Sequence, residues 1–375
     1  MVRIAVTGAA GFLGWHVRCR AFALGIGCTP IGRAELADPR RLAGLLDGVD
    51  AVLHCAGVNR GDDSEVSDGN ASAAELLAAA VRRLDRPIRT VYANSTQSRN
   101  DSVYGAAKRR AGELLAGATP SYSDVVLPNL FGEHGRPHYN SFVATFCHEI
   151  AHGRSPTLVD DKEVALLHVQ DAADALIREA SQSRQGSASG HTLVEPAGEG
   201  TAVSTVLGLL RDFEAVYRHG ELPDLTGRFR AALFNTYRSF LFPARYPIAT
   251  GPRSDQRGTL VECVRTPSSG GQAYVSSTLP GAVRGEHVHL RKFERFLVVA
   301  GEAEIALRRL FSKDVVRLRV SGGQPGAIDM PTMWVHNITN VGRTPVTTFF
   351  WSNELFNADD PDTYPCVVDS AEAAE

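Results

Sequence analysis

Two histidines and a glutamate lie between two glycines in residues 281–301, with the spacing Gly-x5-His-x-His-x4-Glu-x6-Gly. Side chains two positions apart on a β-strand project to the same side of a sheet, so His287 and His289 point the same way, and Glu294 on the next strand can meet them. The segment is therefore expected to bring three ligand side chains to one point. The alternative is that His287 and His289 are only hydrogen-bonded residues of the sheet.

A fourth candidate ligand, His336, lies in residues 331–340, which have the pattern Pro-x-Met-x2-His-x3-Asn. Three histidines and one glutamate suit a borderline divalent metal such as zinc or iron. We expect one divalent metal at this point, with zinc as the first choice.

The length and charge of the chain limit the classes of function that it can have. A length of 375 residues favours two domains, and a net charge of -3 leaves no basic excess for gripping nucleic acid. The six cysteines are scattered without a Cys-x-x-Cys pair, which is typical of reduced thiols in a cytoplasmic protein. The chain opens on the strand-like MVRIAV with no charged-then-apolar leader, and no apolar run approaches the length of a membrane span. We expect a cytoplasmic protein without nucleic-acid or membrane partners.

The N-terminal segment predicts a dinucleotide-binding turn. A short apolar strand leads into the sequence GAAGFLG, and an amphipathic helix is predicted over residues 15–24. Glycines let the backbone approach a pyrophosphate, whose charge then lies at the helix N-terminus with its free N–H groups. We therefore assign Gly8, Gly11, Phe12 and Gly14 to cofactor binding.

Two further predicted strands add residues around the same cofactor. The second strand, residues 29–31, is followed by Arg33, where an NAD-binding protein commonly presents an acid to the ribose hydroxyls. Arginine there favours a 2′-phosphate and hence NADPH; the alternative is a solvated surface arginine. A third buried strand is predicted within residues 50–57, and its end, Ala56 and Gly57, would border the cofactor.

Tyr104 and Lys108 form a Tyr-x3-Lys pair, which places both side chains on one face of a helix. A lysine ammonium beside a phenol favours the phenolate, so the tyrosine becomes a usable proton donor or acceptor. Ser95, after the predicted strand 89–93, could hydrogen-bond the same substrate oxygen, and Thr96 is the alternative hydroxyl. Tyr-x3-Lys alone is common on helix surfaces, but the glycine turn before it makes the combination specific.

This combination resembles the extended short-chain dehydrogenase/reductase family. The resemblance implies an α/β, Rossmann-type doubly wound parallel sheet with Ser95, Tyr104 and Lys108 as the catalytic set, and Lys108 also holds the cofactor ribose. The sequence PNLFG at residues 128–132 looks like that family's junction to the substrate-binding part. It implies substrate contacts that include Asn129 and Asn140.

The character of the sequence changes near residue 250. Three prolines interrupt the apolar periodicity between residues 241 and 252, and short alternating strands follow, such as 302–307 and 316–320. This pattern predicts an antiparallel barrel or sandwich. We predict a reductase domain over residues 1–245, an all-β domain over 251–369 and a disordered tail over 370–375.

The double histidine motif resembles the cupin family, small antiparallel barrels that carry a metal in the mouth. Met333 stands where cupins usually have glycine. The resemblance implies that His287, His289, Glu294 and His336 are metal ligands.

A second resemblance overlaps the first. Residues 255–258 with Glu262, and Arg284 near His287, resemble the nucleotide-sugar 3,5-epimerases that act on 4-keto-6-deoxy sugars. This implies substrate contacts from Arg257, Glu262 and Arg284 and a base role for His287. A metal would occupy the lone pair that a base needs, so the two roles of His287 conflict. We favour the ligand role, which leaves the epimerisation base unassigned.

Taken together, the two halves resemble the bifunctional UDP-sugar epimerase/reductases of capsular polysaccharide synthesis. Sequences that carry the match include residues 56–60, 128–132, 139–141, 144–147 and 336–338. The resemblance implies C3 epimerisation of a UDP-2-acetamido-2,6-dideoxy-4-hexulose in the barrel. NADPH-dependent C4 reduction would follow and give a UDP-N-acetyl-6-deoxy-L-talosamine.

Two alternative functions stay open. One is a 4-ketoreductase whose barrel only binds the UDP-linked amino-sugar, and the other is a non-catalytic sensor of NADP and sugar. Both parent families commonly pair, so a homodimer is the expected assembly.

Overall fold

The computed structural model describes residues 2–182, 190–249, 253–255, 258–260, 271–354 and 357–370. It divides into two compact units: Met1–Phe146 with Thr157–Val206, and Cys147–Pro156 with Leu207–Glu375. Arg257 and Glu262, predicted to contact substrate, lie outside the described residues, as do residues 371–375 of the predicted tail. Every helix in the described ranges is too short or too polar to span a bilayer.

The N-terminal part of the chain alternates strands and helices. It begins with β1 (Arg3–Thr7), α1 (Phe12–Ala23), β2 (Gly27–Ile31), α2 (Arg33–Leu36), α3 (Pro39–Leu46), β3 (Ala51–His54), α4 (Asp63–Val81), β4 (Arg89–Ser95), a short 3-10 helix (Thr96–Arg99), α5 (Val103–Ala116) and β5 (Ser121–Leu127). It continues with β6 (Asn129–Phe131), α6 (Phe142–Ala151), β7 (Glu163–His168), α7 (Val169–Ser181), β8 (Gly190–Val194), β9 (Glu199–Ala202) and α8 (Val203–Tyr217).

Six parallel strands form the main sheet of the first unit, in the order β2-β1-β3-β4-β5-β8. The chain leaves β1 toward β2 on one side and reaches β3 on the other, so the strand order reverses next to β1. β3 is buried along its whole length because α1 and α7 cover one face of the sheet and α3, α4 and α5 cover the other. The predicted Rossmann-type doubly wound sheet is confirmed. β6, β7 and β9 form a separate small sheet.

Helix α1 begins at Phe12, three residues before the predicted start. The extended backbone of Gly11 ends the turn, and helical hydrogen bonding follows at once, with Trp15 N donating to Gly11 O at 2.8 Å. The glycine turn therefore leads directly into the helix.

The second unit consists mainly of antiparallel strands. Its elements are α9 (Arg228–Ser239), β10 (Ile248–Ala249), β11 (Arg253–Asp255), β12 (Gly258–Leu260), β13 (Gln272–Thr278), β14 (Val283–Val288), β15 (Glu294–Ala300), β16 (Glu302–Arg309), β17 (Val315–Ser321), β18 (Gly326–Met330), β19 (Trp334–Asn340), β20 (Val346–Ser352) and β21 (Tyr364–Pro365).

Two five-stranded sheets, β10-β18-β15-β20-β13 and β17-β16-β19-β14-β21, enclose one apolar core, and β11 and β12 form a separate pair. Phe296 and Phe350 from the first sheet pack in this core with Ile305 and Ile338 from the second. The predicted antiparallel all-β domain is confirmed, whereas its assignment as a cupin stays a prediction.

A buried ion pair joins this unit's helices to its strands. Arg295 on β15 donates to Asp329 on β18 through Nε at 2.6 Å and Nη2 at 3.0 Å. Tyr217 at the end of α8 also donates to Asp329, and Nη1 of Arg238 on α9 lies 4.0 Å from the same carboxylate. By their packing, α9 and the part of α8 from Leu207 onward belong to the second compact unit. The predicted domain boundary near residue 250 stays a prediction.

Candidate active site and metal centre

The predicted glycine turn packs backbone against backbone at the N-terminus of α1. Gly8 has a φ of 65°, and a Cβ on it would lie 2.8 Å from Ala56 Cα. A Cβ on Gly14 would lie 2.2 Å from Gly8 O. Only glycine fits both positions. The first N–H groups of a helix have no acceptor within the helix, so those of α1 can bind an anion.

The other predicted cofactor residues lie around the same edge of the sheet. Phe12 is the first residue of α1, and the exposed Arg33 begins α2 directly after β2. Ala56 and Gly57 follow β3, and a Cβ on Gly57 would come 2.6 Å from Asn70 Oδ1. These residues all follow the carboxyl ends of β1, β2 and β3, where doubly wound folds bind dinucleotides.

Ser95, Tyr104 and Lys108 meet at the carboxyl end of β4. Ser95 is the last residue of β4 and hydrogen-bonds Tyr104, which lies in the first turn of α5. Lys108, one turn further, donates from Nζ to Ala93 O at 2.7 Å. The exposed Thr96 follows Ser95 at the start of the 3-10 helix.

Burial sets the protonation of this group. It raises the pKa of Tyr104, while the hydrogen bond with Ser95 lowers it only in part. Burial also lowers the pKa of Lys108 to about 8, against the neighbouring Cys55 and Asp124, which raise it. The prediction that Lys108 favours the Tyr104 phenolate is wrong here, because burial has the largest effect on Tyr104 and raises its pKa. The phenol is neutral near pH 7, as a proton donor must be.

Sequence reasoning missed two polar residues beneath the turn. His54 Nδ1 lies 2.8 Å from Thr7 Oγ1, and this hydroxyl oxygen accepts a hydrogen bond from Ala56 N at 3.2 Å. Burial lowers the pKa of His54 to about 3, so the imidazole is neutral. Thr7 and His54 end two buried strands, and this is the one signal in the sequence that could have identified them.

Three of the predicted substrate residues lie within the described ranges. Asn129 and Asn140 are both exposed in the first unit, and Arg284 is exposed on β14 in the second. Sequence reasoning missed Glu133, which is buried with its Oε2 3.1 Å from His168 Nε2. Burial raises the pKa of Glu133, but His168, His16 and a backbone hydrogen bond together lower it to about 2. A buried carboxylate therefore lies next to Phe131 and Gly132 of the predicted junction.

Four predicted ligands meet in the second unit. Oε2 of Glu294 lies 3.3 Å from His289 Nε2, 3.5 Å from His336 Nε2 and 4.0 Å from His287 Nε2. Strand pairing explains part of this arrangement, because His287 on β14 is opposite His336 on β19. All four ligand atoms lie within 4.8 Å of one another.

These four side chains fit a divalent metal. The three Nε2 atoms are buried and find no hydrogen-bond partner within the described parts of the chain. Burial raises the pKa of Glu294, but the three histidines lower it well below its ordinary range, and burial lowers the pKa of His336 to about 4. One carboxylate and imidazole lone pairs aimed at a common point are a donor set that suits zinc or iron.

Two family models match separate parts of the chain. Residues 4–194 match the NAD dependent epimerase/dehydratase family, and residues 253–364 match the polysaccharide biosynthesis C-terminal domain. The chain is 32% identical to the UDP-2-acetamido-2,6-beta-L-arabino-hexul-4-ose reductase of Pseudomonas aeruginosa, over 98% of this chain and 99% of the relative.

Two solved structures are also similar to the chain. The capsular polysaccharide assembling protein CapF from Staphylococcus aureus is 29% identical with a TM-score of 0.56, covering 98% of this chain and 100% of CapF. UDP-N-acetylglucosamine 4-epimerase from Bacillus cereus, 20% identical with a TM-score of 0.50 over 57% of this chain and 82% of its own, shares the fold alone. The chain therefore belongs to the NAD-dependent epimerase/dehydratase family, as a CapF-like protein with a polysaccharide biosynthesis C-terminal domain.

Proposed function

We propose that this protein is a bifunctional nucleotide-sugar enzyme of polysaccharide synthesis. Its barrel epimerises C3 of a UDP-2-acetamido-2,6-dideoxy-4-hexulose, and its first unit reduces the C4 ketone with NADPH to a UDP-N-acetyl-6-deoxy-L-talosamine. The observation that carries the proposal is the meeting of Ser95, Tyr104 and Lys108 at the carboxyl end of β4, on the same edge of the sheet as the glycine turn. The name of the P. aeruginosa relative, a reductase of a UDP-linked hexul-4-ose, supports the substrate class.

When bound, NADPH would supply the hydride for C4 of the ketone. Tyr104 donates its phenolic proton to the C4 oxygen as the ketone becomes an alcohol, and Ser95 holds that oxygen by a hydrogen bond. Lys108 would hold the cofactor ribose by donating hydrogen bonds to its hydroxyl groups. The raised pKa of Tyr104 supports this direction of proton transfer, because the free enzyme keeps the phenol protonated.

In the epimerisation, a base removes the C3 proton, which the neighbouring C4 ketone acidifies, and a proton returns on the opposite face of the sugar. The base is unassigned, because we assign His287 to a divalent metal, zinc, together with His289, Glu294 and His336. When bound, the metal supplies either polarisation of a sugar oxygen or rigidity of the site. His287 is 23% exposed, against 2% for His289 and 1% for His336, so substrate is expected to approach on the side of His287.

A second candidate is a 4-ketoreductase whose barrel binds substrate without epimerising it. The name of the P. aeruginosa relative favours it in one respect, since that name mentions reduction alone. We also propose that the protein forms a homodimer, which light scattering would measure. A cytoplasmic location is proposed because the described cysteines are scattered and free.

The reductase is tested by NADPH oxidation with the 4-keto UDP-sugar and by mass and NMR analysis of the product. Tyr104→Phe is expected to lower kcat by about 10²–10⁴-fold while NADPH still binds. Tyr122→Phe is the matched control, because the Tyr122 hydroxyl is buried without a hydrogen-bond partner among the described residues. Equal rates for Tyr104→Phe and the wild type would eliminate the reductase mechanism.

The epimerase is tested by solvent deuterium incorporation at C3 in the full-length chain. Tyr104→Phe should still exchange the C3 proton, whereas His336→Ala should not, although it should still reduce a substrate that is already epimerised. Absence of exchange in the wild type would leave the reductase-only candidate.

Metal analysis gives an independent readout of the proposed centre. His289→Ala should lose metal, while the exposed His219→Ala should keep it. Full metal occupancy in His289→Ala would remove the ligand assignment.

A further inference from the structure

Asp362 organises the loop between the predicted ligands His289 and Glu294. Its Oδ1 accepts a hydrogen bond from Leu290 N at 3.2 Å, and its Oδ2 accepts from Arg291 N at 3.0 Å and Lys292 N at 2.7 Å. The residue is 1% exposed and has a φ of 44°, a left-handed conformation that aspartate tolerates. One buried carboxylate thus satisfies three successive N–H groups, whose loss of a partner would be costly.

The backbone of the same residue contacts a ligand directly. Nδ1 of His289 lies 2.5 Å from Asp362 O. A carbonyl oxygen can only accept, so Nδ1 carries the hydrogen and Nε2 of His289 keeps its lone pair. That Nε2 atom is the one aimed at Oε2 of Glu294, 3.3 Å away.

The chain around Asp362 is itself fixed to the barrel. We call residues 361–368 the C-terminal strap. Lys292 Nζ donates to Pro361 O at 3.2 Å and to Thr363 Oγ1 at 3.0 Å. β21 pairs with β14, with Pro365 opposite His287. The strap therefore adjoins two of the three ligand histidines.

Glu286 and Arg308 anchor the far end of the strap. Val368 N donates to Glu286 Oε2 at 2.7 Å, and the buried Arg308 donates through Nε to Val368 O at 2.6 Å. The strap is thus held on both sides of Asp362, as a support for ligand geometry must be.

We propose that Asp362 is a positioning residue for the His287, His289, Glu294 and His336 centre, through the loop it holds and the His289 tautomer it fixes. This inference rests on the proposed metal centre for its function, but its structural part does not need the metal. Partners of metal-bound histidines usually fix the ring tautomer and orientation in this way, and their loss weakens metal binding by about 10–100-fold.

The test compares three full-length variants that have been freed of metal. Asp362→Asn keeps the shape of the side chain but replaces one acceptor oxygen with an amide NH2 donor, which cannot accept from the backbone N–H groups. Lys292→Met loosens the strap without leaving these N–H groups unpaired. Asp360→Asn is the matched control, because Asp360 is exposed and pairs with the exposed Arg291. Zinc affinity is measured by competition with a chelator, and the His289 tautomer by nitrogen NMR without metal.

Asp362→Asn is expected to bind zinc about 10–100-fold more weakly and to lose the single Nδ1–H tautomer of His289. Lys292→Met should show a smaller loss, and Asp360→Asn should stay within about twofold of the wild type, because exposed ion pairs contribute little. If Asp362→Asn does not fold, as its proton–nitrogen spectrum would reveal, Lys292→Met decides the question.

Failure of the positioning role and failure of the metal centre give different results. The positioning role is overturned if folded Asp362→Asn has the zinc affinity of the wild type and an unchanged His289 tautomer. If Asp362→Asn does not fold, the same result in Lys292→Met overturns it. Failure of the wild type to bind zinc overturns the proposed metal centre instead, and the tautomer measurement then still decides whether Asp362 orients His289.

Discussion

Replacing Gly14 with alanine is expected to weaken both the fold and NADPH binding. The new Cβ would lie 2.2 Å from Gly8 O and 2.8 Å from Gly8 C, well inside van der Waals contact with backbone that cannot rotate away. Overpacking of this kind costs about 1–3 kcal/mol, and alanine regains at most about 1 kcal/mol of helix propensity. The free energy of unfolding should therefore fall by roughly 1–2 kcal/mol. If the displaced Gly8 costs binding a similar amount, the Kd for NADPH rises about tenfold.

Gly44 provides the matched control. It lies within α3, and beyond its own and neighbouring residues and the adjacent backbone of that helix no described atom lies within 4 Å of the position of its Cβ. Gly44→Ala should thus raise the free energy of unfolding by up to about 1 kcal/mol and leave NADPH binding unchanged. Urea unfolding and NADPH fluorescence titration measure the two quantities. The close packing of the turn would be refuted if Gly14→Ala were as stable as Gly44→Ala and bound NADPH with the Kd of the wild type.

Three further predictions concern charge. The NADPH affinity of the free enzyme should fall as pH rises through about 8, because Lys108 is charged below its lowered pKa and neutral above it. Lys108→Met should bind NADPH weakly at every pH, without this fall. A fall in affinity near pH 8 that persists in Lys108→Met would assign the effect to another group. Asp329→Asn should destabilise the second unit by about 3–5 kcal/mol, since it leaves the buried Arg295 without its carboxylate, and a thermal melt like that of Asp360→Asn would contradict this. Arg33→Ala should weaken NADPH binding about tenfold or more and leave NADH unchanged, because only NADPH has a 2′-phosphate for a charged hydrogen bond; equal losses for both cofactors would show that Arg33 does not contact that phosphate.

Short spacings explain what could be predicted from the sequence. Tyr104 and Lys108 are one helical turn apart, and His287 and His289 are two residues apart on a strand, so local geometry alone relates each pair. The glycine turn is local in the same sense, because strand, turn and helix follow one another. These patterns identify the parallel sheet, the antiparallel domain and the residues that meet at the two candidate sites.

Contacts between distant parts of the chain explain what could not be predicted. The pKa of Tyr104 depends on burial and on the hydrogen bond with Ser95, neither of which the Tyr-x3-Lys spacing contains. Asp362 is 73 residues from His289, in a segment without a recognisable motif. Nothing in its neighbourhood in the sequence indicates that its carboxylate meets three N–H groups.

The packing of α8 and α9 matters for anyone who wishes to express the barrel alone. A gene fragment starting at residue 251, where the composition changes, would lack Tyr217 and Arg238 and would open the Arg295 and Asp329 pair to water. A fragment starting at residue 207 keeps both helical partners. Solubility screens of truncated clones should therefore favour the longer fragment, and the best place to cut this gene lies about forty codons before the point where its sequence changes character.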